Sequence, residues 1–258
     1  MDPQLDETIN TIVRVLKNSK SVLFVTGAGI SADSGVPTYR GVGGMYDVDV
    51  TEDGIPIEQA LSGGMIRLNP ELTWKYLAQI ADAGRGATFN RAHEVIALLE
   101  AQIPRVWTLT QNVDGFHRHA GSTNVIEIHG NMRSLHCTQC SHREEIQPDD
   151  NRAMPPYCEK CEAIMRPNVV LFDELLPKDA ISTLESELET GFDAMFSIGT
   201  SGSFPYIRGP FAMAPRDRTV TAEINPDATT ITPLVDYYLP MSAAAAMDRV
   251  WNRLTATP

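Results

Sequence analysis

The chain has 258 residues, 43% of them hydrophobic and 21% charged, with a formal net charge of −12 at pH 7. These are ordinary globular values, enough for one large core with a small satellite, and they exclude a disordered or membrane class. The negative balance disfavours nucleic acid, whose phosphates need a cationic counter-surface, and suits basic partners such as lysine-containing peptides.

Leu5, Ile9, Ile12, Val13 and Leu16 recur at helical spacing and predict an amphipathic first helix. The start, Met1 to Glu7, is acidic where a targeting peptide would be basic, and no apolar run approaches the roughly 18 residues of a spanning helix. The expectation is therefore a cytoplasmic protein without membrane contact. A strand over Val22 to Val25 follows and ends at once in glycine. Asn69-Pro70 reads as an N-cap and first helical residue for a helix carrying Trp74, Leu77 and Ile80, and a second helix is predicted from Ala92 to Glu100.

Short strands are then expected over Val106 to Leu109 and Val125 to Ile128. From about Leu135 to Met165 the sequence turns polar and proline-bearing, holds every cysteine, and lacks any long periodic helix or strand, which marks an insertion. Beyond it come a helix near Lys178 to Glu189, strands near Ala194 to Ile198 and Val220 to Ile224, and a last helix from Ser242. Strands alternating with helices predict an α/β fold with a mostly parallel sheet.

Thr26-Gly27-Ala28-Gly29-Ile30-Ser31-Ala32 satisfies G-x-G-x-x-G/A directly after a buried strand. Glycine permits a tight turn and close approach of the backbone to a pyrophosphate, although a purely structural turn would read the same. Four strand ends share this pattern of an apolar run followed by small and polar residues: Thr26-Gly27, Gln111 to Asp114, Gly199 to Ser201, and Asn225. Ligands of open parallel sheets bind outside the carboxyl ends of the strands, so these tips are expected to line one crevice.

Cys137 and Cys140, then Cys158 and Cys161, give C-x2-C, seventeen intervening residues, and C-x2-C. Two such knuckles supply four thiolates to a tetrahedral zinc ion; a redox pair or two disulfides are the other readings of four cysteines. With every thiol used as a ligand, no coordination position stays open, so the metal would be structural. His129 follows the strand Val125 to Ile128 and precedes Gly130. An imidazole there can act as a general base toward a sugar hydroxyl, while any one of six histidines can equally be a surface or core residue.

The string Gly27 to Gly41, with Asp33-Ser34-Gly35-Val36-Pro37-Thr38-Tyr39-Arg40 at its end, resembles the opening signature of the sirtuins, NAD-dependent protein deacylases. Thr110-Gln111-Asn112-Val113-Asp114-Gly115-Phe116-His117 is similar to the family's T-Q-N-[IV]-D-x-[LF]-H, and Glu127-Ile128-His129-Gly130 to its E-x-H-G. The four cysteines, Arg166 to Glu174, Gly199-Thr200-Ser201 and Ile224-Asn225 follow in the family's order.

This resemblance implies a Rossmann-like domain from 1–40, 105–134 and 166–258. The small domain would combine a helical part, 41–104, with a zinc-ribbon part, 135–165. The implied cofactors are NAD and zinc, meeting acyl-lysine proteins or peptides in the cleft between domains. Gly27, Ala28, Gly29, Asp33, Tyr39 and Arg40 would belong to the cofactor loop. Gln111, Asn112, Val113, Asp114 and His129 would surround the nicotinamide and its ribose, and Gly199, Thr200, Ser201 and Asn225 would hold the rest. A last contact would come from Ser242 and Ala243, where Met241 replaces the family's glycine.

The implied reaction has the acyl oxygen attack the nicotinamide ribose, with His129 then activating a ribose hydroxyl and Asn112 and Asp114 orienting polar groups. Nicotinamide, free lysine and an acylated ADP-ribose result. The peptide would pair as an added strand along Val169, Val170, Leu171, Phe172, Asp173 and Glu174. The opening signature looks closest to the branch that includes desuccinylases. Leu77 and Ile80 stand where that branch carries tyrosine and arginine, so acetyl or longer apolar groups are expected over succinyl.

Asp173 stands where the family usually has glycine, and Gly202-Ser203-Phe204 replaces a more aliphatic stretch before Pro205. Two other functions are compatible with a bound dinucleotide: ADP-ribosyl transfer to protein, and a non-catalytic NAD-sensing module.

Overall fold

The computed structural model describes residues 3–38, 50–146 and 152–256. The chain begins with α1 (Pro3–Asn18) and β1 (Ser21–Thr26), then four helices, α2 (Gly29–Ala32), α3 (Ile57–Ala60), α4 (Gly63–Leu68) and α5 (Pro70–Ala83). Next come α6 (Arg91–Glu100), β2 (Arg105–Thr110), α7 (Phe116–His119), β3 (Val125–Glu127), β4 (Gly130–Cys137), β5 (Arg143–Glu145) and β6 (Met165–Val169). The last third alternates: α8 (Lys178–Thr190), β7 (Ala194–Ile198), α9 (Pro205–Met213), β8 (Val220–Ile224), β9 (Tyr237–Leu239) and α10 (Ala243–Thr255).

The large sheet runs in the order β3-β2-β1-β7-β8-β9, every pairing parallel. Its central strands are apolar on both faces because helices cover both. From β1, Val22 and Phe24 pack with Ile9, Ile12 and Leu16 of α1, Val95, Ile96 and Leu99 of α6, and Met247 and Val250 of α10. Leu23 and Val25 point the other way, into a cluster with Leu184 of α8 and Ile207 and Phe211 of α9. The chain leaves β1 toward β2 and β3 on one side and later fills β7, β8 and β9 on the other. The topology therefore reverses between β1 and β7, where such sheets open a crevice at their carboxyl ends.

The small lobe has its own core. Trp74, Tyr76 and Leu77 of α5 pack with Ile57, Leu61 and Ile66, with Leu135, Met165 and Val169 from the antiparallel sheet β5-β4-β6, and with Leu171 just beyond it. The Trp74 indole N–H donates to the Met165 carbonyl at 3.0 Å, tying the helical part to that sheet.

Two boundaries differ from the division drawn from sequence. The buried face of α6 belongs to the core around β1, so the helical part of the small lobe ends before α6 rather than at 104. The antiparallel sheet begins at Gly130, five residues before the expected insertion, because Gly130 and Asn131 pair with Val169 and Asn168 across a register shift. No described helix is long and apolar enough to cross a membrane.

Candidate functional site

The strand ends expected to line a crevice are tied together by hydrogen bonds. The backbone N–H of Gly27 donates to Ile198 at 3.2 Å, and that of Gly29 to the Gly199 carbonyl at 2.8 Å. A Cβ on Gly27 would lie 2.8 Å from the Thr200 Cβ, so the β1 and β7 loops touch only because glycine stands there. Across the other side, the Gln111 amide donates to the Thr200 hydroxyl at 2.8 Å, and the Asn225 amide to the Thr200 carbonyl at 3.3 Å. Ser201 faces Ser203, hydroxyl to hydroxyl, at 2.8 Å.

Asn112 and Asp114 converge on one buried hydroxyl. The Ser31 hydroxyl donates to the Asp114 carboxylate at 2.8 Å, while the Asn112 amide bonds the Gly27 carbonyl at 3.1 Å and the Ser31 oxygen at 3.2 Å. Burial raises the Asp114 pKa, and the Phe116 N–H and Ser31 hydroxyl work against that rise. Val113 turns away, its side chain packed on the small-lobe core. Asn90, the N-cap of α6, fastens the same loop from behind by donating to the Ile30 carbonyl at 2.7 Å and the Ser34 hydroxyl at 2.9 Å.

His129 stands just beyond β3, partly buried. Its Nδ1 lies 3.1 Å from the Gln111 carbonyl and its Nε2 lies 2.7 Å from the Tyr206 hydroxyl. A carbonyl only accepts, so Nδ1 carries the proton and Nε2 offers its lone pair, to which the phenol donates. Burial lowers the His129 pKa, with the Gln111 carbonyl acting in the opposite sense, and burial pushes Tyr206 up to about 12. Phe204 stacks on Tyr206 with centroids 5.3 Å apart, and both rings stand edge-on to the imidazole.

The segment from Val169 to Glu174 is held on both sides. Val170 N–H donates to the His129 carbonyl at 2.9 Å, and Phe172 exchanges backbone bonds with Leu61 and Gly63 at 2.9 Å each. Val169 and Leu171 are buried in the small-lobe core. Glu174 is clamped by both guanidinium nitrogens of Arg166, at 2.7 and 2.8 Å, and accepts from Leu171 N–H at 3.0 Å. Burial raises the Glu174 pKa, but these bonds outweigh it and the net shift is downward. Asp173 has φ +65°, a left-handed angle that glycine takes most easily, and its carboxylate accepts from Gly64 N–H at 3.2 Å.

The four cysteine sulfurs all lie within 4.8 Å of one another. Cys137 and Cys161 are 3.4 Å apart and Cys140 and Cys158 3.6 Å apart, close to the about 3.8 Å edge of a tetrahedral zinc–thiolate site. Backbone N–H groups of Gln139 and Cys140 both point at the Cys137 sulfur at 3.3 Å, as thiolate ligands require. These residues fit zinc.

Asp33, expected in the cofactor loop, has its carboxylate on the Ala244 N–H at 2.8 Å, in the first turn of α10. This brings it beside Ser242, the N-cap of that helix, and Ala243. Tyr39 and Arg40 lie outside the described residues. Ser31 and Tyr206 were not singled out from sequence as site residues. Ser31 sits inside the glycine motif, and Tyr206 follows a proline that opens a helix after a strand tip.

A model of the Sir2 family matches residues 27–204. The chain belongs to the Sir2 family. It is 49% identical over 242 residues to NAD-dependent protein deacylase 2 of Pseudomonas syringae pv. tomato, covering 93% of this chain and 97% of that protein. A solved Sir2 homologue in complex with NAD matches with a TM-score of 0.83 at 32% identity, covering 95% of this chain and 93% of the other. A Sir2-homologue triple mutant in complex with 2'-O-acetyl ADP ribose matches with a TM-score of 0.82 at 33% identity, covering 98% and 96% of the two chains.

Proposed function

We propose that this Sir2-family chain is an NAD-dependent protein-lysine deacylase, acting on acyl-lysine proteins or peptides with His129 as general base. The observation that carries the reading is the state of that imidazole. Its proton is directed to the Gln111 carbonyl, and its unprotonated nitrogen is Nε2, which accepts from the Tyr206 hydroxyl. Burial keeps the ring neutral at pH 7, which is the form that accepts a proton.

NAD would supply the ADP-ribose that accepts the acyl group as nicotinamide departs. The polar strand tips suit a dinucleotide: Gln111, Thr200 and Asn225 along one edge, and Asn112, Asp114 and Ser31 beside the β1 loop. Asn112 and Asp114 would orient sugar hydroxyls, since each carries hydrogen-bonding atoms that converge on Ser31. The peptide would run along Val169 to Glu174, a segment that Arg166 holds at Glu174 and that Val170 N–H joins to the His129 carbonyl. Two relatives support the assignment, one named a protein deacylase and one bound to an acetylated ADP-ribose.

The test is incubation with NAD and a panel of acyl-lysine peptides, following nicotinamide, free lysine and acylated ADP-ribose by mass, with His129→Ala as control. Equal product formation by wild type and His129→Ala would defeat the assignment of the base. ADP-ribose appearing on protein without loss of acyl groups would point instead to a transferase.

A further inference from the structure

His129 does not face the crevice with a bare lone pair. The Tyr206 hydroxyl, 2.7 Å away, occupies the Nε2 acceptor position, and the other ring nitrogen is committed to the Gln111 carbonyl at 3.1 Å. The phenol is held in place from several directions. Phe204 stacks on its ring at 5.3 Å and 14°, Pro205 opens α9 immediately before it, and Ile207 and Phe211 anchor that helix in the core with no exposed surface. The Tyr206 oxygen keeps acceptor capacity after donating its proton, so a further hydroxyl can bond to it.

We propose that Tyr206 is a further catalytic residue, passing the proton from the attacking sugar hydroxyl to His129. The inference rests on the reading of His129 as the base. As the sugar O–H bond breaks, its proton bonds to the phenol oxygen, and the phenol O–H bond breaks as its own proton bonds to Nε2. The sugar oxygen keeps the electron pair with which it attacks the acyl carbon. Tyr206 ends neutral, and His129 ends as an imidazolium whose Nδ1–H still donates to Gln111. Burial supports the exchange, because a phenol pushed up to about 12 is close in acidity to a sugar hydroxyl and the hop between them is nearly balanced.

Tyr206→Phe removes one oxygen and leaves the stack on Phe204. The expected result is a fall in deacylation kcat of about 10²-fold, in line with loss of a positioned proton-transfer group. Exchange of labelled nicotinamide into NAD in the presence of acyl-peptide, which precedes the acyl step, is expected to stay within about threefold of wild type. A proton inventory in mixed light and heavy water should be bowed for wild type, with two protons in flight, and linear for residual Tyr206→Phe turnover. If Tyr206→Phe turns over like wild type while His129→Ala does not, the relay is wrong and the base assignment stands. A loss of exchange equal to the loss of deacylation would make Tyr206 structural and also overturn the proposal. Wild-type turnover unaffected by His129→Ala removes the base and the relay together.

Discussion

Gly29 and Gly199 meet backbone to backbone, the N–H of the first donating to the carbonyl of the second at 2.8 Å. A Cβ on Gly199 would stand 2.3 Å from the Ile30 nitrogen, and its φ of +61° already disfavours any side chain. That clash cannot be relieved by turning a rotamer, because the atom it meets is main chain. Gly199→Ala is expected to destabilise the fold by about 1–3 kcal/mol through overpacking, beyond the about 1–2 kcal/mol of the left-handed angle. Gly35→Ala separates the two effects: it has φ +83° and nothing within 4 Å, so it should lose only the second. Urea midpoints of the two variants test this, and equal losses would sink the close-approach argument.

Zinc should be bound at one ion per chain and should matter to the small lobe more than to the parallel sheet. The β5-β4-β6 sheet shares its core with Cys137 and Cys158, so losing the ion removes its central fastening. Cys140→Ser is expected to abolish stoichiometric zinc and raise amide exchange across β4 to β6, while β1, β2 and β7 stay protected. Protection lost equally in both sheets would contradict this division. A Cys140→Ser protein that keeps a full zinc ion would contradict the ligand set.

The pH dependence of activity has a sign. Burial places the His129 pKa below 6.5, and the proposed base works in its neutral form. Activity should therefore persist on acidification through 6.5 and fall only at lower pH, as the ring takes up a proton. The acid limb of kcat/KM for the acyl-peptide reports this directly. A limb centred above about 7 would contradict the assignment.

Stability carries its own acid signature, from a different pair of histidines. His93 and His117 lie in the core with ring centroids 4.9 Å apart, and His117 bonds the Thr26 hydroxyl at the base of the glycine loop. Burial lowers His93 to about 4 and His117 well below 6.5. The unfolded chain takes up these protons near 6.5 and the folded chain does not. Their contribution is therefore fully present above 6.5 and lost as pH falls toward 4, by up to about 1.4 kcal/mol per pH unit per group. Urea midpoints measured down that range should fall, and His93→Gln should flatten the slope by up to one proton.

What could be read in advance depended on whether a residue's partner is local. The both-faced apolar runs of β1 and β7, the Asn69 cap and the two cysteine knuckles carry their signal within a few residues. The start of β4 at Gly130 could not be read that way, because Asn131, Arg133 and Ser134 show no apolar alternation and the pairing with β6 shifts register between Asn131 and Leu135. The bonds from Ala244 to Asp33 and from Tyr206 to His129 join residues 211 and 77 positions apart, where no local pattern points from one to the other. The grouping of the strand tips was thus foreseeable, and the aromatic group on His129 was not.

Asp173 offers a case where sequence and conformation disagree and a short bond reconciles them. Its φ of +65° is one that glycine adopts most easily, and the bond from Gly64 N–H explains why aspartate is tolerated, since a short polar side chain can satisfy a neighbouring donor. Alanine would meet the strained angle without that compensation. Asp173→Ala is therefore expected to cost about 1–2 kcal/mol, and Asp173→Gly to stay within about 0.5 kcal/mol of wild type. This reverses the usual order, in which alanine is the milder replacement. Because the segment from Val169 to Glu174 is the proposed peptide edge, the alanine variant should also raise KM for acyl-peptide more than it lowers kcat. Denaturation midpoints and initial rates on both variants check the two halves, and an alanine variant as stable as the glycine one would show that the angle carries no cost here.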